Sequence, residues 1–216
     1  MKVTEDAVIM GAWCGMASAK WILDIGTGTG LLALMMAQQS AKAQVDAIEI
    51  DTGAAEQAHD NFKNSPWSNR LHLIKGDFRE VIVERKYDLI VCNPQFYTAD
   101  IQSPVATRAL ARSEAHMPLA DWVPRALALL HPDGKLVTML PLAGGEELRC
   151  IAQESGGFAS RQLTIMPRMG MPAGRIVVEL TFGACQPIVE NLIVREESGT
   201  YSESFKKLTS AFYLAL

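Results

Sequence analysis

WILDIGTGTGLLALMMAQQS, residues 21–40, decides the fold. WILDIG (21–26) is a short apolar run that reads as a buried strand. LLALMMAQQS (31–40) is apolar on most sides and reads as a helix packed on a sheet, its Met and Leu residues belonging to the core. Between them lies Asp24-Ile25-Gly26-Thr27-Gly28-Thr29-Gly30. Glycines there let the chain turn tightly and let a ligand approach the backbone. The helix behind them offers free N–H groups and the positive end of its dipole.

The same rhythm continues outward. QVDAIEI (44–50), LHLIKG (71–76), YDLIVCN (87–93) and KLVTMLP (135–141) read as strands. AAEQAHDNFKN (54–64) and WVPRALALL (122–130) read as helices, the second stopped by HPDG. Near-continuous apolar strands alternating with helices predict a parallel sheet covered on both faces. After a helix in GEELRCIAQES, RQLTIMPR (161–168) and RIVVELTFG (175–183) are joined only by MGMPAG. Six residues are too few for a parallel crossover, so these two strands form an antiparallel hairpin. LIVRE and the helix-like ESFKKLTSAFYLAL close the sequence.

Composition agrees with this α/β reading. The 216 residues are 49% hydrophobic and 20% charged, with net charge −4. That excludes disordered, collagen-like and disulfide-scaffold chains. No linker or repeat divides the sequence, so residues 1–216 are expected to form one domain. No apolar run reaches the roughly 18 residues of a membrane span, and the acidic start does not resemble a secretory signal. Cys14, Cys92, Cys150 and Cys185 form no C-x-x-C pair and histidines are scattered, so no metal site is expected. These features fit a reducing cytoplasm. Without a basic domain, a polyanionic partner would need local Arg or Lys clusters.

The glycine loop alone leaves the cofactor open. Gly28-x-Gly30-x-x-Ala33 also satisfies the relaxed dinucleotide fingerprint, so an NAD(P)-dependent oxidoreductase is one reading. Glu49, ending strand two, offers a carboxylate to ribose hydroxyls in either case. Three features favour S-adenosylmethionine (SAM). Asp24 lies two residues before the first glycine. Gly76-Asp77-Phe78 follows strand three, where Asp77 faces an adenine amino group. Strand four runs into Asn93-Pro94-Gln95-Phe96. Asn-Pro is also a common turn pair. As a catalytic element, the Asn93 side-chain carbonyl and Pro94 backbone carbonyl accept the two N–H groups of an exocyclic amine. They hold it as it becomes tetrahedral and aim its lone pair at a methyl donor. Phe96 stacks on the target base.

On these motifs the chain resembles a class I SAM-dependent methyltransferase of the N-P-P-[YF] amino-methylating group, a Rossmann-like fold. More closely, it is similar to the bacterial tRNA(Val) adenine-N6-methyltransferases. MKVTEDAVIMGAW, LDIGTGTGLLALMMAQ, DAIEID, NFKNSPWSNRLHLIKGDFRE, YDLIVCNPQFY and YSESFKKLTSAFYL carry the resemblance across nearly the whole sequence. It implies methylation of the adenine just 3′ of the anticodon in a valine tRNA. It implies that Gly26, Gly28 and Gly30 line the cofactor, with Asp24 and Asn93 beside it, Glu49 at its ribose and Asp77 at its adenine. Asn93, Pro94 and Phe96 hold the base, and Lys2-Val3-Thr4-Glu5-Asp6 lie near the methionine end. Guanine N2 and protein glutamine amides are alternative targets of the wider group, and a non-catalytic SAM- or RNA-binding protein is a third possibility. Gln95 replaces the group's second proline, which loosens the loop that presents the Pro94 carbonyl. Relatives carry residues before the MKV block, so an upstream segment is expected.

Arg108 and Arg112 are spaced i, i+4 and share a helix face, either as solvated surface or as phosphate contacts beside the catalytic loop. His116 lies just beyond them. Arg168 and Arg175 of the hairpin are further candidates for RNA contact. The sequence carries no signal for oligomeric state.

Overall fold

The computed structural model describes residues 4–15, 19–94 and 117–213. Eight strands form one sheet in the order β3-β2-β1-β4-β5-β7-β6-β8. They are β1 (Trp21–Ile25), β2 (Gln44–Glu49), β3 (Leu71–Lys75), β4 (Tyr87–Cys92), β5 (Leu130–Pro141), β6 (Gly157–Arg168), β7 (Arg175–Phe182) and β8 (Ile188–Arg195). The helices are α1 (Glu5–Trp13), α2 (Leu31–Gln39), α3 (Thr52–Lys63), α4 (Leu119–Ala128), α5 (Gly145–Glu154) and α6 (Glu203–Thr209). β1 pairs in parallel with β2 and β4, β2 with β3, and β4 with β5. β7 is antiparallel to both β5 and β6. The expected Rossmann-like, mainly parallel sheet with its antiparallel hairpin is therefore present.

The sheet has a core on each face. Val45, Leu89, Val91 and Val137 meet Met36, Ala33 and Trp13 on one side. Leu23, Ile48, Ile90 and Leu136 meet Trp122, Val123 and Leu127 on the other. Strands buried on both faces are apolar at nearly every position, which is why they read as runs in the sequence. Helix α2 buries Leu32, Ala33, Met35, Met36 and Ala37, so its methionines are core.

Three features depart from the sequence-based expectation. β5 starts at Leu130 and takes in the HPDG segment expected only to end a helix, because Leu130 pairs with Tyr87 and the register then shifts so that Lys135 pairs with Leu89. β8 begins at Ile188 and pairs in parallel with β6, widening the sheet beyond the hairpin. Residues 5–13 form a helix that the apolar spacing did not suggest. Thr4 caps it by accepting the Ala7 N–H (3.3 Å), and six of its nine residues are buried. Being apolar nearly all round, it shows no amphipathic stripe.

Helix α1 joins the two ends of the sequence. The Glu5 carboxylate accepts hydrogen bonds from the Arg195 guanidinium (2.6 Å) and the Tyr201 hydroxyl (2.7 Å). Trp13 Nε1 donates to Glu190 of β8 at 2.6 Å. Tyr201 stacks on buried Phe205, ring centroids 4.5 Å apart. Among the described residues no helix is long and apolar enough to cross a membrane.

Candidate active site

The glycine loop and the β4 terminus share one edge of the sheet. Ile25 and Cys92, the last residues of β1 and β4, are direct neighbours across the ladder. Asp24-to-Gly30 and Asn93-Pro94 therefore leave adjacent strands side by side, at the carboxyl end where open α/β sheets bind ligands.

The loop is pinned by its own backbone. Thr27 N–H donates to Ile48 O and Gly30 N–H to Thr27 O, both at 3.0 Å. Gly26 has φ +68°, and a Cβ there would meet nothing within 4 Å, so its outer face is open to a ligand. Gly30, at φ +89°, starts α2; a Cβ there would lie 2.4 Å from Phe62 Cε1. One glycine is thus required by backbone conformation beside open space, the other also by packing against α3. Gly28 is likewise left-handed, at φ +59°.

Asp24 is fully buried. Its Oδ2 accepts the Thr27 hydroxyl at 2.6 Å and the Ala33 N–H at 3.1 Å. Its Oδ1 has no hydrogen-bond partner. Burial pushes the Asp24 carboxyl up to about 7, against the two hydrogen bonds that favour its charged form. A buried, unsatisfied carboxylate oxygen is costly in isolation, and a cationic or N–H-bearing ligand would relieve it.

Glu49 sits at the end of β2 as expected. Its Oε2 accepts the Gly28 N–H at 2.7 Å and its Oε1 accepts the Asp51 N–H at 2.8 Å. Each oxygen retains a further lone pair for a hydroxyl donor. Asp77 follows β3, where Gly76 N–H is bonded to Glu49 O. The Asp77 carboxylate is gripped by the Arg79 guanidinium, with Nε at 3.0 and 2.9 Å from its two oxygens and Nη2 at 2.5 Å. That contact holds Asp77 below the usual carboxylate range. Phe78 is buried behind it, with Arg125 of α4 5.3 Å from the ring centre and bonded to Val81 O. Arg79 and Arg125 border the candidate site and were not singled out in the sequence; an arginine two positions after the expected adenine acceptor was the available signal.

Of the other expected residues, Asn93 and Pro94 are half-buried directly after β4. Phe96, Arg108 and Arg112, with Gln95 and His116, lie outside the described residues, as do Lys2 and Val3. Glu5 and Asp6 are engaged with Arg195 and Arg175 respectively. No group of three or more His, Cys, Asp or Glu side chains suited to a metal ion occurs among the described residues. Cys14 and Cys92 are buried thiols, and burial pushes Cys14 up to about 12.

Residues 14–121 match the model of the methyltransferase small domain. Over its full length the chain is 38% identical to the tRNA1(Val) (adenine(37)-N6)-methyltransferase of Vibrio vulnificus, covering 90% of that protein. It is 37% identical to the protein of the same name from Tolumonas auensis, all of this chain aligning with 91% of that one. The chain belongs to this methyltransferase family. Membership favours methyl transfer over the hydride transfer that the glycine loop alone allowed. Solved structures agree on the fold. A predicted O-methyltransferase, protein Atu636 from Agrobacterium tumefaciens, superimposes with a TM-score of 0.73 at 18% identity, covering 95% of each chain. The ribosomal protein L11 methylase of Lactobacillus delbrueckii subsp. bulgaricus gives 0.59 at 20% identity, over 84% of this chain and 79% of that one.

Proposed function

We propose that this chain is a SAM-dependent methyltransferase that modifies the exocyclic N6 of an adenine in tRNA, the one just 3′ of the anticodon of a valine tRNA. The observation that carries the reading is the pairing of Ile25 with Cys92, which sets Asn93-Pro94 beside the glycine loop. The names of the full-length relatives supply the substrate.

The residues present fit the cofactor. Asp24 Oδ1 is a buried acceptor in need of a donor, Gly26 opens on free space, and Glu49 keeps acceptor capacity. Bound there, SAM supplies an electrophilic methyl group. The remaining work falls to the chain. Asn93 and Pro94 offer two carbonyl acceptors to the two N–H groups of the amine. Their dipoles stabilise the positive charge that develops on nitrogen. An adenine amine is a weak nucleophile because its lone pair is delocalised into the ring, and holding it pyramidal restores the lone pair. Phe96 stacks on the extruded base. Arg108 and Arg112 contact phosphates nearby, and residues 1–216 act as one domain in the cytoplasm.

The test is methylation of bulk tRNA from a strain lacking the enzyme, with nucleoside mass spectrometry. N6-methyladenosine confined to valine tRNA is the expected product. N2-methylguanosine, or no labelled nucleoside, would overturn the substrate assignment.

A further inference from the structure

The C-terminal half of the sheet rises above the edge that carries the glycine loop. β4 ends at Cys92, whose neighbour in β5 is Thr138, yet β5 continues to Pro141, where it pairs with Arg175. Three more residues lift β5 and the hairpin about 10 Å above the end of β4. β6 and β8 run parallel to each other and end at the same edge, with Arg168 and Arg195 in register. The outcome is a wall beside Asn93 that carries Arg168, Arg175 and Arg195. With Ile9, Ile165 and Val194 they line a groove of about 370 Å³.

Two of these arginines are held by carboxylates of α1. Arg175 lies 2.7 Å from Asp6, and Arg195 lies 2.6 Å from Glu5. Both pairs are partly exposed, the Arg175 side chain the most at 51%. Partial burial raises the Asp6 carboxyl, and the Arg175 charge beside it lowers it. Arg168 has no ion pair among the described residues. At the tip of the hairpin Met169 and Met171 are exposed, apolar surface next to a basic groove. A guanidinium binds phosphate with the same fork it presents to a carboxylate. From the end of β4 to β6 is three strand spacings and to β8 four, about 14 and 19 Å, which with the rise puts Arg168 and Arg195 about 17–22 Å from Asn93. That is the reach of backbone phosphates a few nucleotides away from an adenine seated at Asn93.

We propose that this arginine wall binds the RNA backbone on one side of the target nucleotide, with Glu5 and Asp6 standing in for phosphates until RNA displaces them. The inference rests on the tRNA reading above and deepens it. In a chain of net charge −4 it also gives selectivity. A polyanion must fit well enough to displace two carboxylates, so loose electrostatic adhesion gains little.

The experiment uses the full chain with valine tRNA. tRNA binding is measured across salt concentrations, methylation kinetics at saturating SAM, and S-adenosylhomocysteine binding as a control. Arg168→Glu is expected to weaken tRNA binding at least tenfold and flatten its salt slope by about 0.7–0.9 per lost phosphate contact. It should raise KM while kcat stays within about twofold and S-adenosylhomocysteine binding is unchanged. Asp6→Asn is expected to act in the opposite direction, tightening tRNA binding several-fold, a result that a purely structural Asp6–Arg175 tie would not produce. Wild-type binding and salt slope in both variants, with tRNA still methylated, would overturn the wall and leave the substrate reading standing. Altered slopes in an enzyme that modifies no adenine would support the wall and overturn the substrate reading. A wild-type protein that binds no tRNA would overturn both.

Discussion

Glu49 Oε2 and the Gly28 N–H are joined by a 2.7 Å hydrogen bond that ties the end of β2 to the glycine loop of β1. Glu49 therefore has a job in the folded chain itself, besides the contact with the cofactor's ribose proposed for it. Glu49→Ala should weaken S-adenosylhomocysteine binding by about 1–3 kcal/mol, and should also destabilise the fold, because a buried N–H loses its acceptor. Glu49→Gln keeps an acceptor for Gly28 and should recover most of the stability but less of the affinity. Calorimetric titration and urea unfolding of the three proteins separate the two roles. Full affinity in Glu49→Ala would place the ribose elsewhere.

Asp77 and Arg79 form a two-pronged pair where an adenine acceptor is expected. To receive an amino group, Asp77 must share or exchange that partner. Arg79→Ala should leave cofactor affinity unchanged or higher, whereas Asp77→Ala should lower it. Arg79 is more than a third exposed, so the pair adds under about 1 kcal/mol to stability and neither variant should melt much earlier. A loss of affinity in Arg79→Ala equal to that in Asp77→Ala would show that the pair binds as a unit.

Much of this layout is visible in the residues themselves. Runs such as YDLIVCN announce strands because both faces of the sheet are covered, and six residues between Arg168 and Arg175 permit only a hairpin. The places of Glu49 and Asn93 at strand ends are legible because each is a polar residue closing an apolar run, Glu49 as the last residue of β2 and Asn93 just after β4. What stayed hidden depends on long-range partners. Helix α1 carries no stripe because the sheet, β8 and α6 surround it. The Glu5–Arg195 bond spans 190 residues. Arg79 gave no periodic signal, since its partner Asp77 lies two positions away in a turn. The Tyr87–Leu130 pairing that starts β5 early depends on a register shift that no local pattern encodes.

Asp24 makes stability depend on pH. Its carboxyl is raised to about 7 in the folded state from an ordinary value near 3.8. The folded chain thus holds a proton that the unfolded chain has released, and stability falls as pH rises between about 4 and 7. The cofactor-free protein should lose up to a few kcal/mol across that window from this group. Asp24→Asn should remove that slope. Urea unfolding at pH 5 and pH 8 reads both; a slope that persists in Asp24→Asn would assign it to another carboxyl.

If the Asn93 carbonyl holds the target amine as proposed, Asn93→Ala should abolish most turnover, a loss of at least about a hundredfold, with S-adenosylhomocysteine affinity nearly intact. Single-turnover methylation with saturating tRNA is the measurement, and full activity would defeat the acceptor mechanism. Gln95→Pro tests the departure from the group's motif. If Gln95 only loosens the loop, proline should keep or raise the rate. A large loss would mean the site is built around glutamine.

Gly26 and Gly30 are both left-handed but differ in what surrounds them, and that difference predicts opposite balances of damage. A Cβ on Gly26 meets no atom within 4 Å, while one on Gly30 would lie 2.4 Å from Phe62 Cε1. Both alanine variants bear a backbone penalty of about 1 kcal/mol. Gly30→Ala must in addition displace buried Phe62 from between α2 and α3, and overpacking of this kind costs about a further 1–3 kcal/mol. Its main defect should be stability. Gly26→Ala has room in the folded chain, but the methyl group projects into the open space where the cofactor would approach the backbone, so its main defect should be affinity. Melting temperatures and S-adenosylhomocysteine titrations of the pair give the comparison. A Gly26→Ala protein that binds normally would show that the open face of Gly26 looks onto solvent and that the cofactor lies farther toward Gly28.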